Sequence, residues 1–229
     1  MKILGHRGAR FEAPENTLRG LEVALRAGVD GVEVDVHLTR DGRPVVIHDE
    51  TVERTCKGAS GRVDALTLDE LRRLDAGDGE RVPTLEEVLE VTRGRCELFV
   101  ELKGPGCEAA VVRAVSDLGL TDACLLKAFD HRQVLRAKAL APDLRGACLL
   151  VARPVDPVGL ARAARADGLS LNLAYVDAEL VDACHAAGLL VCGWNCNRPE
   201  ELPRWRATGL DWLGTDTPTT FVPEARRSS

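Results

Sequence analysis

Residues 31–38 read Gly31-Val32-Glu33-Val34-Asp35-Val36-His37-Leu38. A strand has a side-chain period of two. Val32, Val34 and Val36 therefore share one face, suited to packing beneath helices. Glu33, Asp35 and His37 share the other. Two carboxylates side by side in a sheet repel each other and are costly to bury. Two readings remain open from these residues: a divalent cation held by carboxylate oxygens, or a pair of acids held by Arg or Lys inside a barrel.

Short apolar runs alternate with capped amphipathic segments on either side of this strand. Upstream, Ile3–His6 reads as a strand and Thr17–Ala27 as a helix stopped at Gly28. Downstream, Asp41-Gly42 marks a turn before an extended Pro44–His48. Thr84 is a candidate N-cap for a helix through Thr92, with Glu86 and Glu87 in its first turn. Further strands are expected at Glu97–Leu102, Cys124–Phe129, Arg145–Val151, Leu169–Leu173, Leu189–Trp194 and Trp212–Gly214. Helices near Glu108–Leu118, from the Asp130 cap to about Leu140, and near Val158–Ala166, Ala178–Ala187 and Pro199–Ala207 separate them. Such alternation implies a parallel sheet with helices outside. Nine strand candidates are one more than an eight-stranded barrel uses. Pro44–His48, with no room for a crossover helix before it, is the irregular one. The polar, Gly-rich residues 51–83, with one amphipathic piece near Leu68–Leu74, read as an insertion placed to cover a site. After Pro223 the chain reads as a polar tail.

The 229 residues suit one large domain, and 45% hydrophobic residues can bury a real core. A net charge of −6 gives no electrostatic case for nucleic acid. No apolar run approaches the roughly 20 residues that span a bilayer. The start, Met-Lys-Ile-Leu-Gly-His-Arg-Gly, has no apolar signal region, so a cytoplasmic protein with no stable membrane insertion is expected. The eight cysteines stand singly, with no C-x-x-C pair, and read as buried reduced thiols.

Other segments carry chemistry. Glu101 and Lys103 share a face at the C-terminal end of their strand, where barrel enzymes place their chemistry. Taken alone, that pair reads first as an intrabarrel salt bridge. His6 and His48 stand at strand ends, and imidazoles titrate near neutrality. Arg7 offers a fork of donors suited to phosphate. His37 shares the face of Glu33 and Asp35. Trp194 is either an apolar wall for substrate or core. Asp216 reads first as a cap for the turn that follows it, and otherwise as a residue orienting the site. His131 and His185, in helices, read as structural or surface groups.

Taken together, these pieces resemble the glycerophosphodiester phosphodiesterase family. The matching motifs are Gly5-His6-Arg7-Gly8, Pro14-Glu15-Asn16-Thr17, Glu33-Val34-Asp35-Val36, Leu38-Thr39-Arg40-Asp41-Gly42, Val45-Val46-Ile47-His48-Asp49, Glu101-Leu102-Lys103, Phe129-Asp130, Trp194 and Thr215-Asp216-Thr217-Pro218, in family order. The resemblance implies an α/β fold: a slightly irregular TIM-type (β/α)8 barrel spanning 1–229, with a small insertion at about 51–83. It implies hydrolysis of a small-molecule glycerophosphodiester to glycerol 3-phosphate and an alcohol. His6 and His48 map onto the acid–base pair. Glu33, Asp35 and Glu101 map onto the ligands of a divalent metal, Ca²⁺ or Mg²⁺, with Mn²⁺ a further candidate. Arg7 and Lys103, with Phe129 and Trp194, map onto phosphate and substrate contacts. Glu15, Asn16, His37, Asp49 and Asp216 count as supporting residues. The rivals are a lysophospholipase D acting on lipid and a non-catalytic barrel that binds phosphorylated ligands. The chain has Ala128 where the family often has Ser, His37 where Gln is common, and Asn195 where Thr is common. These departures bear on substrate preference.

Overall fold

The computed structural model describes residues 1–227. In it β1 (Lys2–Gly5), β2 (Gly31–Leu38), β4 (Glu97–Leu102), β5 (Cys124–Ala128), β6 (Arg145–Leu150), β7 (Gly168–Asn172), β8 (Leu190–Trp194) and β9 (Trp212–Thr215) pair in parallel. The ring closes because β1 pairs with both β2 and β9. This is a TIM-type barrel. The extra extended segment, β3 (Pro44–Val46), hangs antiparallel on β2 with Val36 opposite Val46. It needs no crossover helix because an antiparallel neighbour is reached by a short turn.

Helices α1 (Leu18–Ala27), α3 (Leu85–Thr92), α4 (Glu108–Asp117), α5 (His131–Leu140), α6 (Pro157–Ala163), α7 (Ala178–Ala186) and α8 (Leu202–Ala207) surround the barrel; a short α2 (Leu68–Leu71) lies in the excursion after β3. Their ends follow local chemistry. The Thr17 hydroxyl accepts from the Gly20 N–H, and Gly28 closes α1 at φ 85°, a left-handed conformation that glycine adopts without a Cβ clash. Thr84 and Glu87 form a reciprocal capping box on α3. Val32, Val34 and Val36 are fully buried in the layer between sheet and helices. Leu4, Phe99, Leu125, Ala147, Cys192 and Trp212 form a separate apolar floor inside the barrel.

One expectation is corrected. The segment after Pro223 is not a polar tail: α9 (Pro218–Arg227) runs through it. Phe221, Val222 and Ala225 are buried in the main core, and that burial holds the helix despite the internal proline. Residues 51–83 carry buried apolar side chains of their own. Val45, Ile47, Val52, Cys56, Val63, Leu71, Ala76 and Val82 give this region its own small core beside the barrel. All eight cysteines are free, and seven of them are buried. No helix among the described residues is long and apolar enough to cross a membrane.

Candidate active site

The strands place acidic and basic side chains in one layer at their C-terminal ends. Asp35 on β2 lies in register with Glu101 on β4, and Glu101 with Lys127 on β5. Period-two alternation points all three inward. Glu33, Asp35 and Glu101 each offer a carboxylate oxygen, and these oxygens lie within 4.8 Å of one another. The residues themselves are 0%, 1% and 7% exposed.

Both readings of the Glu33–Asp35 pair are partly realised. Counter-charges are present: Lys127 Nζ lies 3.1 Å from Glu33 Oε1, Lys103 Nζ lies 3.1 Å from Glu101 Oε1, and Arg7 Nε lies 3.3 Å from Asp35 Oδ2. The Arg7 backbone N–H donates to Glu33 Oε2 at 3.0 Å, and Asn16 Nδ2 donates to Asp35 Oδ2 at 2.9 Å. Even so, Glu33 Oε1, Asp35 Oδ1 and Glu101 Oε1 are buried without an aligned hydrogen-bond donor. Three buried carboxylates with oxygens this close together fit a hard divalent cation, whose ligands are carboxylate oxygens.

Electrostatics separates the three acids. Burial works against ionisation of Glu33, but Lys127, His6 and Arg7 outweigh it and hold the carboxyl down at about 2. Glu101 moves the other way: burial, then the neighbouring charges of Asp35 and Glu33, raise it despite Lys127 and Lys103. Burial also opposes the charge on Lys127, and Glu33 and Glu101 reverse that, leaving its pKa raised.

Two histidines flank the cluster. His6 Nδ1 lies 2.6 Å from Asp216 Oδ1, and its Nε2 lies 3.9 Å from Glu33 Oε2. A carboxylate only accepts, so the Nδ1 proton points at Asp216 and Nε2 faces the site. Asp216 thus meets the His6 ring from across the chain. Asn197 Nδ2 donates to its other oxygen at 2.8 Å, and burial is overcome so that its pKa is lowered. His48 repeats the arrangement, with Nδ1 2.5 Å from Asp49 Oδ1 and Nε2 accepting from Lys103 Nζ at 3.0 Å. Burial is the largest influence lowering the His48 pKa; Arg7 and Lys103 add to it against Asp35 and Asp49.

The loop after β1 carries His6 and Arg7. Arg7 sits at φ 51° and Gly8 at φ 79°, where an added Cβ would lie 2.6 Å from the Gly20 carbonyl carbon. Glycine at that position lets the loop rest on α1. Asn16, at φ 57°, takes a left-handed conformation that asparagine tolerates. Glu15 accepts from Arg7 Nη1 at 2.9 Å and from Arg54 at 2.7 and 2.9 Å. Arg54 also grips Asp49, with Nε 2.5 Å from Oδ2.

Two cavities meet at His48 and Lys103. One, of about 270 Å³, is lined by His6, Arg7, Arg10, Glu101, Lys127, Phe129, Leu149, Trp194 and Asn195 as well. The Phe129 and Trp194 rings meet edge to face 6.2 Å apart, with Phe129 46% exposed. The other, of about 560 Å³, is lined by His37, Asp49, Glu50, Arg62, Asp64 and Pro105 among others. His37 donates to the His48 carbonyl at 3.1 Å. Arg62 and Asp64 are what the 51–83 excursion contributes to the mouth.

These motifs in this arrangement can be set against known proteins. A family model described as the glycerophosphoryl diester phosphodiesterase family matches residues 6–220. The chain belongs to that family. It is an enzyme, a phosphoric diester hydrolase by family. A glycerophosphodiester phosphodiesterase of Caldanaerobacter subterraneus subsp. tengcongensis is 35% identical, with 98% of each chain covered. The crystal structure of a glycerophosphodiester phosphodiesterase from Agrobacterium tumefaciens superposes with a TM-score of 0.87 at 30% identity, covering 97% of this chain and 99% of that one. An Oleispira antarctica phosphodiesterase in complex with the product sn-glycerol-3-phosphate gives 0.89 at 30% identity, covering 99% and 97%.

Within this phosphodiesterase barrel the sequence departures can be located. Ala128 is fully buried in the helix-side core, so it does not face the mouth. Asn195 does: its side-chain amide lies 2.7 Å from His6 Nδ1 and 3.5 Å from Asp216 Oδ1. Sequence reading missed three residues of this network. Lys127 was legible from the strand period, two positions before Phe129. Arg54 and Asn197 carried no local signal. His131 and His185 lie elsewhere, bonded to the Leu149 carbonyl and to Asp211. Cys192 and Cys196 occupy different cores, and among the described residues the Glu33–Asp35–Glu101 group is the only cluster suited to a metal.

Proposed function

We propose that the chain hydrolyses glycerophosphodiesters to glycerol 3-phosphate and an alcohol, with His6 and His48 moving the protons. One observation carries this reading: three buried carboxylates converge within 4.8 Å between two imidazoles, each backed at Nδ1 by an aspartate. The product named for the Oleispira relative supports the choice of glycerol 3-phosphate.

Glu33, Asp35 and Glu101 would hold a divalent cation, Ca²⁺, Mg²⁺ or Mn²⁺ by donor chemistry. When bound, it neutralises charge on the phosphoryl group and makes a nearby hydroxyl more acidic. The protein's own groups do the rest. Arg7 and Lys103 bind the phosphoryl oxygens as fixed positive charges. One imidazole Nε2 takes the proton of the glycerol 2-hydroxyl as its oxygen attacks phosphorus. The other imidazole, protonated, gives its proton to the departing alcohol oxygen. The resulting five-membered cyclic glycerol phosphate is opened by water with the two histidines in exchanged roles. Asp216 and Asp49 keep each Nε2 aimed at the reacting atoms and stabilise the imidazolium when it forms. Phe129 and Trp194 offer an apolar wall to the glycerol carbons.

Turnover of glycerophosphocholine, set against its analogue lacking the glycerol 2-hydroxyl, tests the route. The analogue should be cleaved far more slowly; equal rates exclude attack by that hydroxyl. Lysophosphatidylcholine in the same assay separates a water-soluble diester from a lipid one.

A further inference from the structure

Lys127 has no part in the proton transfers, yet it sits at the centre of the barrel. Its side chain is 5% exposed, with Nζ 3.1 Å from Glu33 Oε1 and 4.0 Å from Glu101 Oε2. Its register neighbour on β6 is Ala147, whose small side chain leaves room for the long lysine. Lysines are rarely buried to this degree unless paired, and here the partners are two of the three acids suited to a cation. With Arg7 and Lys103, Lys127 makes three positive side chains against Glu33, Asp35 and Glu101. The cluster therefore already carries counter-charge from the protein, with Arg7 shared between Asp35 and Glu15.

We propose that Lys127 is an internal counter-cation which weakens binding of a divalent ion on its own and couples that binding to arrival of a phosphoryl anion. This rests on the reading above that the three acids hold a cation. A divalent ion entering this cluster brings two positive charges close to the Lys127 ammonium, which low dielectric screens poorly. An anionic phosphate beside it offsets that charge. Each ligand then raises the affinity for the other by the same factor, as linkage requires. Lys127 is a positioning residue for charge, and a free cation would be held loosely until substrate is present.

Isothermal titration of the metal-free full chain with Mn²⁺, in the presence and absence of glycerol 3-phosphate, tests this. The wild-type affinity for Mn²⁺ should rise at least about tenfold with glycerol 3-phosphate, within the range usual for coupled sites. Lys127→Met should bind Mn²⁺ alone about tenfold more tightly than wild type, with a smaller enhancement by glycerol 3-phosphate. Unchanged or weaker Mn²⁺ binding by a variant with native circular dichroism overturns the proposal. If the methionine variant does not fold, Lys127→Gln, which keeps a donor for Glu33, replaces it. Equal wild-type affinity with and without glycerol 3-phosphate overturns it too. A chain that hydrolyses diesters yet shows no effect of the Lys127 change fails this inference alone. A wild-type chain that binds no cation under either condition fails the underlying reading as well.

Discussion

Lys103 Nζ donates to His48 Nε2 across 3.0 Å and also lies 3.1 Å from Glu101 Oε1. One ammonium thus joins the acidic cluster to an imidazole. A positive charge so close disfavours a second one on the ring. Burial is the main reason the His48 pKa is lowered, and Arg7 and Lys103 add to it. Lys103→Met should therefore raise that pKa. A general base must be neutral to act, so activity is lost when falling pH protonates it. The limb of the kcat/KM profile that His48 sets, the acid limb where it is the first base and the alkaline limb where it is the first acid, should move to higher pH in Lys103→Met, alongside a lower plateau from the lost phosphate contact. A pH series on both proteins reads this directly, and a limb that stays in place shows that Lys103 does not govern His48.

Asp216 holds His6 through a 2.6 Å contact to Nδ1. Asp216→Ala frees the ring to rotate and removes the acceptor that favours the Nε2-facing tautomer. The expected loss is in kcat, by about 10²-fold, the lower end of what general acid–base groups contribute. KM should change little, since Asp216 lies behind the imidazole. A comparable rise in KM with unchanged kcat would instead place Asp216 in substrate binding.

Glu33 is fully buried at the heart of the cluster. Ligand binding to the native state alone stabilises it by about 2.7 kcal/mol at one hundred times Kd. Wild-type protein should show an upward thermal shift with Mn²⁺ or Ca²⁺, abolished by a chelator. Glu33→Gln keeps the shape and should lose both that shift and turnover. Full activity in Glu33→Gln would remove this residue from the cation site.

Phe99 lies below the chemistry. Its ring meets Trp212 edge on at 4.7 Å in the barrel floor, and it is 1% exposed. Phe99→Ala leaves a cavity in a closed layer and should cost about 3–5 kcal/mol. Urea unfolding measures this. A loss below about 1 kcal/mol would mean that the floor repacks around the gap.

Much of this protein was legible residue by residue. The alternation in Gly31–Leu38 separated a valine face from an acidic face, and the structure keeps that separation. Thr84 and Asp130 marked helix starts because capping is a local bond between a side chain and a backbone N–H two or three residues on. The spacing from His6 to Asp49 carried the family resemblance. Asp216 reads first as a cap because its partner, His6, stands 210 residues away, and local rules see only the turn that follows. The last helix was misjudged because a proline and a polar composition outweighed Phe221, Val222 and Ala225, whose value depends on the core they enter.

The chain by itself determined its periods, its caps and which residue types reach the strand ends. Those follow from backbone geometry and contacts a few residues apart. Closure of the barrel decided the rest: that Lys127 faces Glu33, that Asp216 backs His6, and that Arg54 ties Glu15 to Asp49. Such pairings depend on strand register and on a ring that joins β1 to β9, which no local stretch of sequence encodes. Charge acts through space, so the balance of the acidic cluster exists only once the tertiary structure brings its members together.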